Sequence, residues 1–353
     1  MRSGFFFLLF LAVGFFLYQN SALIALRRSA ALNQRPEIHE KVLICGICRN
    51  VEKATPNTIH SVRTLGSHFL DYRTIIYENN STDRTKPLLR AWAKEDPRLI
   101  LISEQLSTRR LARQIPMKIG TRIEKIGRAR NIVLDIAMKK IFDDYKYVIW
   151  ADLDFMEPWD VDAIVETIHF PEQEWDAVFA YGAYDLFALR SPEWPIGFEL
   201  VGPVYWSKLD ELRKQFVLDT NGPWKKVYSA FGGLGIYKRD AIQGCRYSAV
   251  VTPDLEQAAT AWLSQARQGK NVWCLEEYEQ LLATTAIVDL PLSERSQYPD
   301  AIGVRLPRGN IVWFSCAKKQ PLPSTCEHIP FHASMALHGH DRLFINPRIR
   351  SHP

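Results

Sequence analysis

The run "YKYVIWADLDFMEPWD", residues 145–160, carries an apolar stretch straight into Asp152 and Asp154. Two carboxylates separated by one residue of extended chain project to the same side. Such a pair can share a hard divalent cation with the oxygens of a phosphate-bearing ligand. The cation would take up charge developing on a diphosphate leaving group. A solvated loop is the plainer alternative, but it has no need of two acids at the end of a buried strand. A second polar stretch, "TIIYENNSTDRT" at 74–85, ends another apolar run in Glu78, Asn79 and, further on, Asp83. These groups can hydrogen-bond a base and a ribose, or cap the turn into a helix.

Groups of this kind need a sheet to hold them. Val42–Ile47 reads as a strand, and Ile59, Val62, Leu65 and Phe69 recur at helical spacing over 55–69. Tyr72–Tyr77 is a second strand. "STDRTKPLLRAWAKED" opens a helix with Asp83 as its N-cap and Pro87 in the first turn. Leu99–Ile102 is a third strand, followed by a basic loop with Arg109, Arg110, Arg113, Lys118 and Arg122. Ile126, Ala129, Val133, Ala137 and Ile141 then mark one helix face before the strand Tyr147–Ala151. This alternation predicts an α/β fold with a mostly parallel sheet flanked by helices. Ligands in such sheets bind at the carboxyl ends of strands, where Asp152 and Asp154 fall. After residue 180 the rhythm is lost. Residues 182–228, with Tyr184, Trp194, Tyr205, Trp206 and Trp224, read as an inserted aromatic segment whose Trp rings either stack on sugar faces or fill a core.

The 353 residues suffice for one large domain or two modest ones, and 47% apolar with 24% charged residues is ordinary for a globular chain. Much of the net charge of +5 gathers after Arg305, together with His328, His332, His338, His340 and His352. That tail suits an anionic ligand such as a diphosphate. Nucleic acid is not expected, because no basic helix of reading length is present. Gly4–Leu26 is long and apolar enough to cross a bilayer. We therefore expect a signal anchor at 1–27 and a polar stem at 28–40, with a cleaved signal peptide as the alternative. Arg2 before the span and Arg27 with Arg28 after it leave the orientation open. Six Cys do not make a disulfide framework in a chain this long, and Cys45 and Cys48 lie inside an apolar run that points to core packing rather than redox chemistry.

"YENNSTDRT", "GRARN" and "WADLD" together resemble the GT-A-fold glycosyltransferases. The spelling is similar to the fungal capsule-associated α-1,3-mannosyltransferases and, more distantly, the mannan-polymerase subunits. The resemblance runs from about Lys41 to Pro347, except around 185–225. It implies a GT-A domain at 41–353, with a Rossmann-like nucleotide-sugar-binding half at 41–155 and an acceptor-binding half at 156–353. It places Glu78 and Asn79 by the base, Asp83 at the helix cap or ribose, and Arg128 and Arg130 near the diphosphate, where a forked guanidinium fits. A solvated helix face would explain the two arginines equally. Asp152 would meet the sugar or ribose, and Asp154 the metal, with Asp152 counted in both the catalytic and the metal set. "FGGLGIYKRD" resembles the Gly-rich segment lining the donor sugar, through Gly232 and Gly233; a β-bulge is the alternative. In "CEHIPFHASMALHGHDRLFINPRIRSH", Glu327 matches the acid facing the acceptor and His352 the metal-binding His, with His332, His338 and His340 as rivals. An imidazole ligand suits Mn²⁺ better than Mg²⁺.

The expected activity is sugar transfer from a nucleotide diphosphate to a glycan hydroxyl, and the resemblance implies GDP-mannose as donor and retained configuration. An inverting enzyme would use Glu327 as general base. A nucleotidyltransferase is a weaker fit, because "ICRNVEKATPN" lacks a Gly-rich loop. A membrane-tethered carbohydrate-binding protein is the non-enzymatic alternative. A eukaryotic chain of this plan would face the Golgi lumen, and a bacterial one the cytoplasmic side of the inner membrane.

Overall fold

The nearly unbroken apolar run "VLICGIC" lies within β1 (Ile38–Cys48). Val42, Leu43, Ile44 and Cys45 are all buried, as in a strand covered on both faces. Ile38, His39 and Glu40, expected in the stem, belong to this strand. The computed structural model describes residues 38–107, 122–170, 174–182, 184–202, 204–284, 301–305, 311–315 and 325–351. The expected anchor, most of the stem, Arg109, Arg110, Arg113, Lys118 and His352 lie outside the described residues. Among the described residues, no helix is long and apolar enough to cross a membrane.

From β1 the chain passes through α1 (Thr55–Gly66), β2 (Phe69–Asn79), α2 (Thr85–Glu95), β3 (Leu99–Glu104), α3 (Arg122–Ala137), β4 (Tyr145–Ala151), α4 (Val161–Ile168) and β5 (Ala177–Tyr181). Three boundaries differ from expectation for local reasons. Helix α1 stops at Gly66, which lies flush against Tyr72: a Cβ there would fall 2.4 Å from the Tyr72 ring, and Phe69 opens β2 instead of extending the helix. Asp83 does not cap α2, whose N-cap is Arg84. It braces the turn before it, accepting from the Thr85 amide at 3.0 Å and the Glu52 amide at 3.1 Å. Helix α3 ends at Ala137, so Ile141 is exposed and Phe142 takes the core position.

The second half supplies β6 (Lys225–Val227), β7 (Leu234–Lys238), α5 (Pro253–Ala266), α6 (Leu275–Thr284), β8 (Ala301–Arg305), β9 (Ile311–Ser315), α7 (His328–Leu337) and β10 (Leu343–Arg350). Eight strands form one sheet in the order β3-β2-β1-β4-β7-β5-β10-β6, and β8 with β9 forms a separate hairpin. The sheet is mixed rather than mostly parallel. β2 with β3, β1 with β4, and β5 with β10 are parallel. β7 runs antiparallel to both β4 and β5, and β6 runs antiparallel to β10. Parallel neighbours need long crossovers, whereas an antiparallel strand can enter from a tight turn.

The segment 182–228 is not an appendage. Leu186, Leu189, Trp194, Leu200, Tyr205 and Phe216 join the main core. Inside it, Arg190 is fully buried and donates to Glu199 through Nε at 2.9 Å and Nη2 at 2.7 and 2.8 Å. Trp194 packs edge-on to Phe216, Trp224 stacks on Phe170, and Trp206 alone of the three is exposed, at 51%.

Candidate active site

β4 delivers the acid pair. Its last residue, Ala151, pairs with Leu234 of β7, and the pairing continues for one more step as the Asp152 amide donates to the Gly233 carbonyl at 2.8 Å. Leu153 then turns into the core beneath Gly46, where a Cβ would lie 2.7 Å from Leu153 Cδ2. Asp152, half-buried, and Asp154, exposed, flank it. The alternation leaves both carboxylates off the core face, as the extended-chain reading requires. Among the described residues, Asp154 makes no hydrogen bond or ion pair.

Arg130 comes up from α3 and is only 3% exposed. Its Nη2 donates to Asp152 Oδ1 at 3.3 Å, and its Nε donates to Glu327 Oε1 at 3.2 Å. The rings of Phe231, Trp150 and Tyr247 lie 4.6, 5.4 and 5.7 Å from the guanidinium, so it sits in an aromatic box. Glu327, just before α7, is itself buried. One cation therefore ties the strand-end acid to an acid from the far end of the chain.

The Gly232–Gly233 turn lies alongside. Both residues have positive φ, +60° and +84°, and a Cβ would fall 2.3 Å from the Ala180 carbonyl oxygen at the first and 2.2 Å from Tyr184 Oη at the second. Glycine is required here by the backbone itself. The turn sets β7 beside β4 and brings these glycines against Asp152.

Sequence reasoning missed Asp185, which lies in the electrostatic reach of Asp152, Glu327 and Arg130 and takes a hydrogen bond from the Gly232 amide. Burial and the charges of Asp152 and Glu327 push its carboxyl up to about 8. The sequence carried no clear signal for it: Asp185 lies four residues beyond β5, in a stretch without periodic pattern, whereas Asp152 directly follows β4. Burial likewise pushes Asp152 up to about 6, with Asp154 and Glu327 adding to the rise and Arg130 opposing it. Asp152, Asp154 and Glu327 thus outweigh Arg130, a surplus of negative charge that favours a cation, while Asp185 is held largely protonated beside them. Carboxylate oxygens fit a hard dication. Among the described residues no group of three His, Cys, Asp or Glu could hold a metal ion; Asp152 and Asp154 could fill at most part of a dication's oxygen shell, with water or ligand oxygens in the rest.

The nucleotide-side residues are more fully engaged. Glu78 is buried and accepts from the Ser81 amide at 2.8 Å and from Ser103 Oγ at 2.6 Å. Asn79, half-buried, ends β2 opposite Glu104. Arg128 donates to Tyr77 Oη at 2.8 Å and to Glu104 Oε2 at 3.1 Å. Glu78, Asp83 and Asp154 all act on the buried Cys48 thiol, so the two acidic strand ends are near one another. Cys45 and Cys48 are free and buried, and burial pushes both thiols well up. Two rival histidines have other work: His332 lies between Ser229 Oγ at 2.9 Å and Tyr237 Oη at 3.0 Å, and His340 faces Asp176 at 3.4 Å.

Residues 44–115 match the glycosyl transferase family 2 model. The matched stretch covers Glu78, Asn79 and Asp83 and ends before Arg128 and Asp152. No curated protein matches the chain. Among solved structures, the chain is similar to the mannosyltransferase PcManGT of Pyrobaculum calidifontis, in complex with GDP-Man and Mn²⁺, at 15% identity over 66% of this chain and 56% of that one, with a TM-score of 0.33. TarS residues 1–349 of S. aureus give 14% identity over 63% and 55%, with a TM-score of 0.35. Glucosyl-3-phosphoglycerate synthase of Mycobacterium tuberculosis, in complex with Mn²⁺, UDP and phosphoglyceric acid, gives 12% identity over 66% of each chain, with a TM-score of 0.34. The chain therefore spans 56%, 55% and 66% of these three solved chains.

Proposed function

We propose that this chain is a metal-dependent glycosyltransferase that moves a sugar from a nucleotide diphosphate to a glycan hydroxyl. The observation that carries the reading is the Asp152–Asp154 pair astride buried Leu153, at the end of the strand beside the Gly232–Gly233 turn. The glycosyl transferase family 2 match over 44–115 supports it from the nucleotide side. Asp152 and Asp154 would hold Mn²⁺, with His352 as a further ligand. When bound, the cation would neutralise charge on the diphosphate.

The remaining work falls to the chain itself. Arg130 keeps Glu327 in place and pairs Asp152, so the acceptor-side and donor-side acids share one rigid support. Glu327 accepts a hydrogen bond from the acceptor hydroxyl and orients it toward the anomeric carbon. The resemblance to the capsule-associated mannosyltransferases supports GDP-mannose as donor and retention as outcome. The apolar run Gly4–Leu26 supports single-pass membrane attachment, which puts transfer at a membrane surface.

The test uses full-length protein in detergent, offered GDP-mannose and several uridine nucleotide sugars with and without Mn²⁺, with nucleotide release as the readout. We expect Mn²⁺-dependent release from GDP-mannose, abolished in Asp154→Asn while the circular dichroism spectrum is unchanged. If no nucleotide sugar is bound or turned over with any dication, or if Asp154→Asn keeps wild-type activity, the proposal is wrong.

A further inference from the structure

Buried polar atoms in folded proteins nearly always find partners, and each exception calls for a reason. His328, at the start of α7, is such an exception. It is 2% exposed, and among the described residues neither ring nitrogen has a hydrogen-bond partner of good geometry. Its ring stacks on Phe231 at 4.1 Å and 20°, meets Tyr247 edge-on at 5.5 Å, and lies 5.8 Å from His332. Packing holds it with Nε2 3.5 Å from Glu327 Oε1, the outer limit of a hydrogen bond. The same oxygen accepts from Arg130 Nε at 3.2 Å. Among the described residues, the other oxygen, Oε2, meets only the Cys326 thiol, a weak donor, at 3.7 Å.

The two carboxylate oxygens of Glu327 are therefore unequal. We propose that His328 is a positioning residue that, with Arg130, fixes Glu327 Oε1 and leaves Oε2 as the oxygen presented to the acceptor hydroxyl. This rests on the reading of Glu327 as the acceptor-side acid. Burial, Arg130 and His332 hold the ring neutral, so it is not a second counter-charge; with Nε2 3.5 Å from Oε1 it stands one small shift short of donating its Nε2–H to Glu327, a bond that closes when the acceptor seats. Two donors on one oxygen set the plane of the carboxylate, which one donor leaves free to turn. Phe231, which touches both Arg130 and His328, is joined directly to the Gly232–Gly233 turn, so the same aromatic ring supports both donors.

Two variants separate positioning from packing. His328→Phe keeps an aromatic ring for the stack on Phe231 and removes the donor, and His328→Gln keeps a donor. His328→Phe should lower kcat roughly 10- to 100-fold with the donor KM unchanged, the scale expected when a reacting group loses its orientation. His328→Gln should recover most of that loss. A His328→Phe enzyme with kcat within about twofold of wild type would overturn the proposal, since a purely packing ring leaves kcat alone. A second readout needs no turnover: the ¹⁵N imidazole signal of His328, identified by its disappearance in His328→Phe, should report Nε2 protonated and should shift in Glu327→Gln. A ring protonated on Nδ1, or one indifferent to Glu327→Gln, also overturns it. If the ¹⁵N result holds while no sugar is transferred from any donor, the contact stands and the reading of Glu327 as the acceptor-side acid falls.

Discussion

Replacing Arg130 by Met tests the centre of the site. Met matches the aliphatic stem of Arg and its tolerance of aromatic neighbours, but carries no charge. The substitution removes the bonds to Glu327 Oε1 and Asp152 Oδ1. The two acids do not suffer equally. The Asp152 side chain is 32% exposed and keeps water, whereas that of Glu327 is 9% exposed and is stranded. Breaking a buried pair by removing one partner costs about 3–5 kcal/mol, because the other charge is left without compensation. Against an overall stability of about 5–15 kcal/mol the variant still folds. At roughly 2 °C per kcal/mol in a chain of this size, melting should fall by roughly 6–10 °C. Glu327→Gln should be milder, since its amide oxygen still accepts from Arg130 and Asp152 remains as counter-charge. Combining Arg130→Met with Glu327→Leu should recover most of the loss, because neither buried charge is then unpaired. The assay is a four-cornered set of urea and thermal melts in metal-free buffer. Losses that simply add across the cycle, or an Arg130→Met variant that melts with wild type, would refute the reasoning.

Three further outcomes follow from the same structure. Asp152 has an acid constant of about 6 in the fold, above the ordinary carboxylate value of about 3.9, so its ionisation works against folding; that burden is absent below about pH 4 and complete above about pH 6. The stability of metal-free Asp152→Asn relative to wild type should therefore rise between those pH values and level off beyond, as read by melting at each pH; a flat difference would show that the burial of Asp152 is misread. Glu199→Ala leaves Arg190 buried and unable to shed its proton, so urea melts should show a loss of about 3–5 kcal/mol, with Glu199→Gln losing less. Gly233→Ala meets both a left-handed backbone and the Tyr184 and Phe155 side chains, while Gly244→Ala, at φ +79° with nothing within 4 Å, meets only the first. Gly244→Ala should therefore lose about 1–2 kcal/mol and Gly233→Ala clearly more; equal losses would mean that the crowding at Gly233 relaxes freely.

Some of this molecule was legible in the chain, and the reason is locality. An apolar run that stops at Asp152 has to be a strand end, and alternation around Leu153 puts both acids on one side. Cys45 and Cys48 declared themselves core residues by lying inside such a run. Gly232 and Gly233 pointed to a special backbone, and their positive φ values bear that out. Local pattern also misled where tertiary contact overrode it: Phe69 kept helical spacing but was taken into β2 once Gly66 closed against Tyr72. The reversal of β7 between β4 and β5 left no periodic trace, because parallel and antiparallel strands share one side-chain period. Arg130 and Glu327 stand 197 positions apart, and no spacing rule reaches that far. Asp185 lay in a stretch without rhythm, so its kinship with Asp152 emerged only when β5 came to rest one strand beyond β7. Sequence alone determined which short segments end in chemistry-bearing residues, since that depends on neighbours along the chain. Tertiary structure alone decided which of those ends share a charge, since pairing a buried guanidinium with two distant acids depends on packing the whole core.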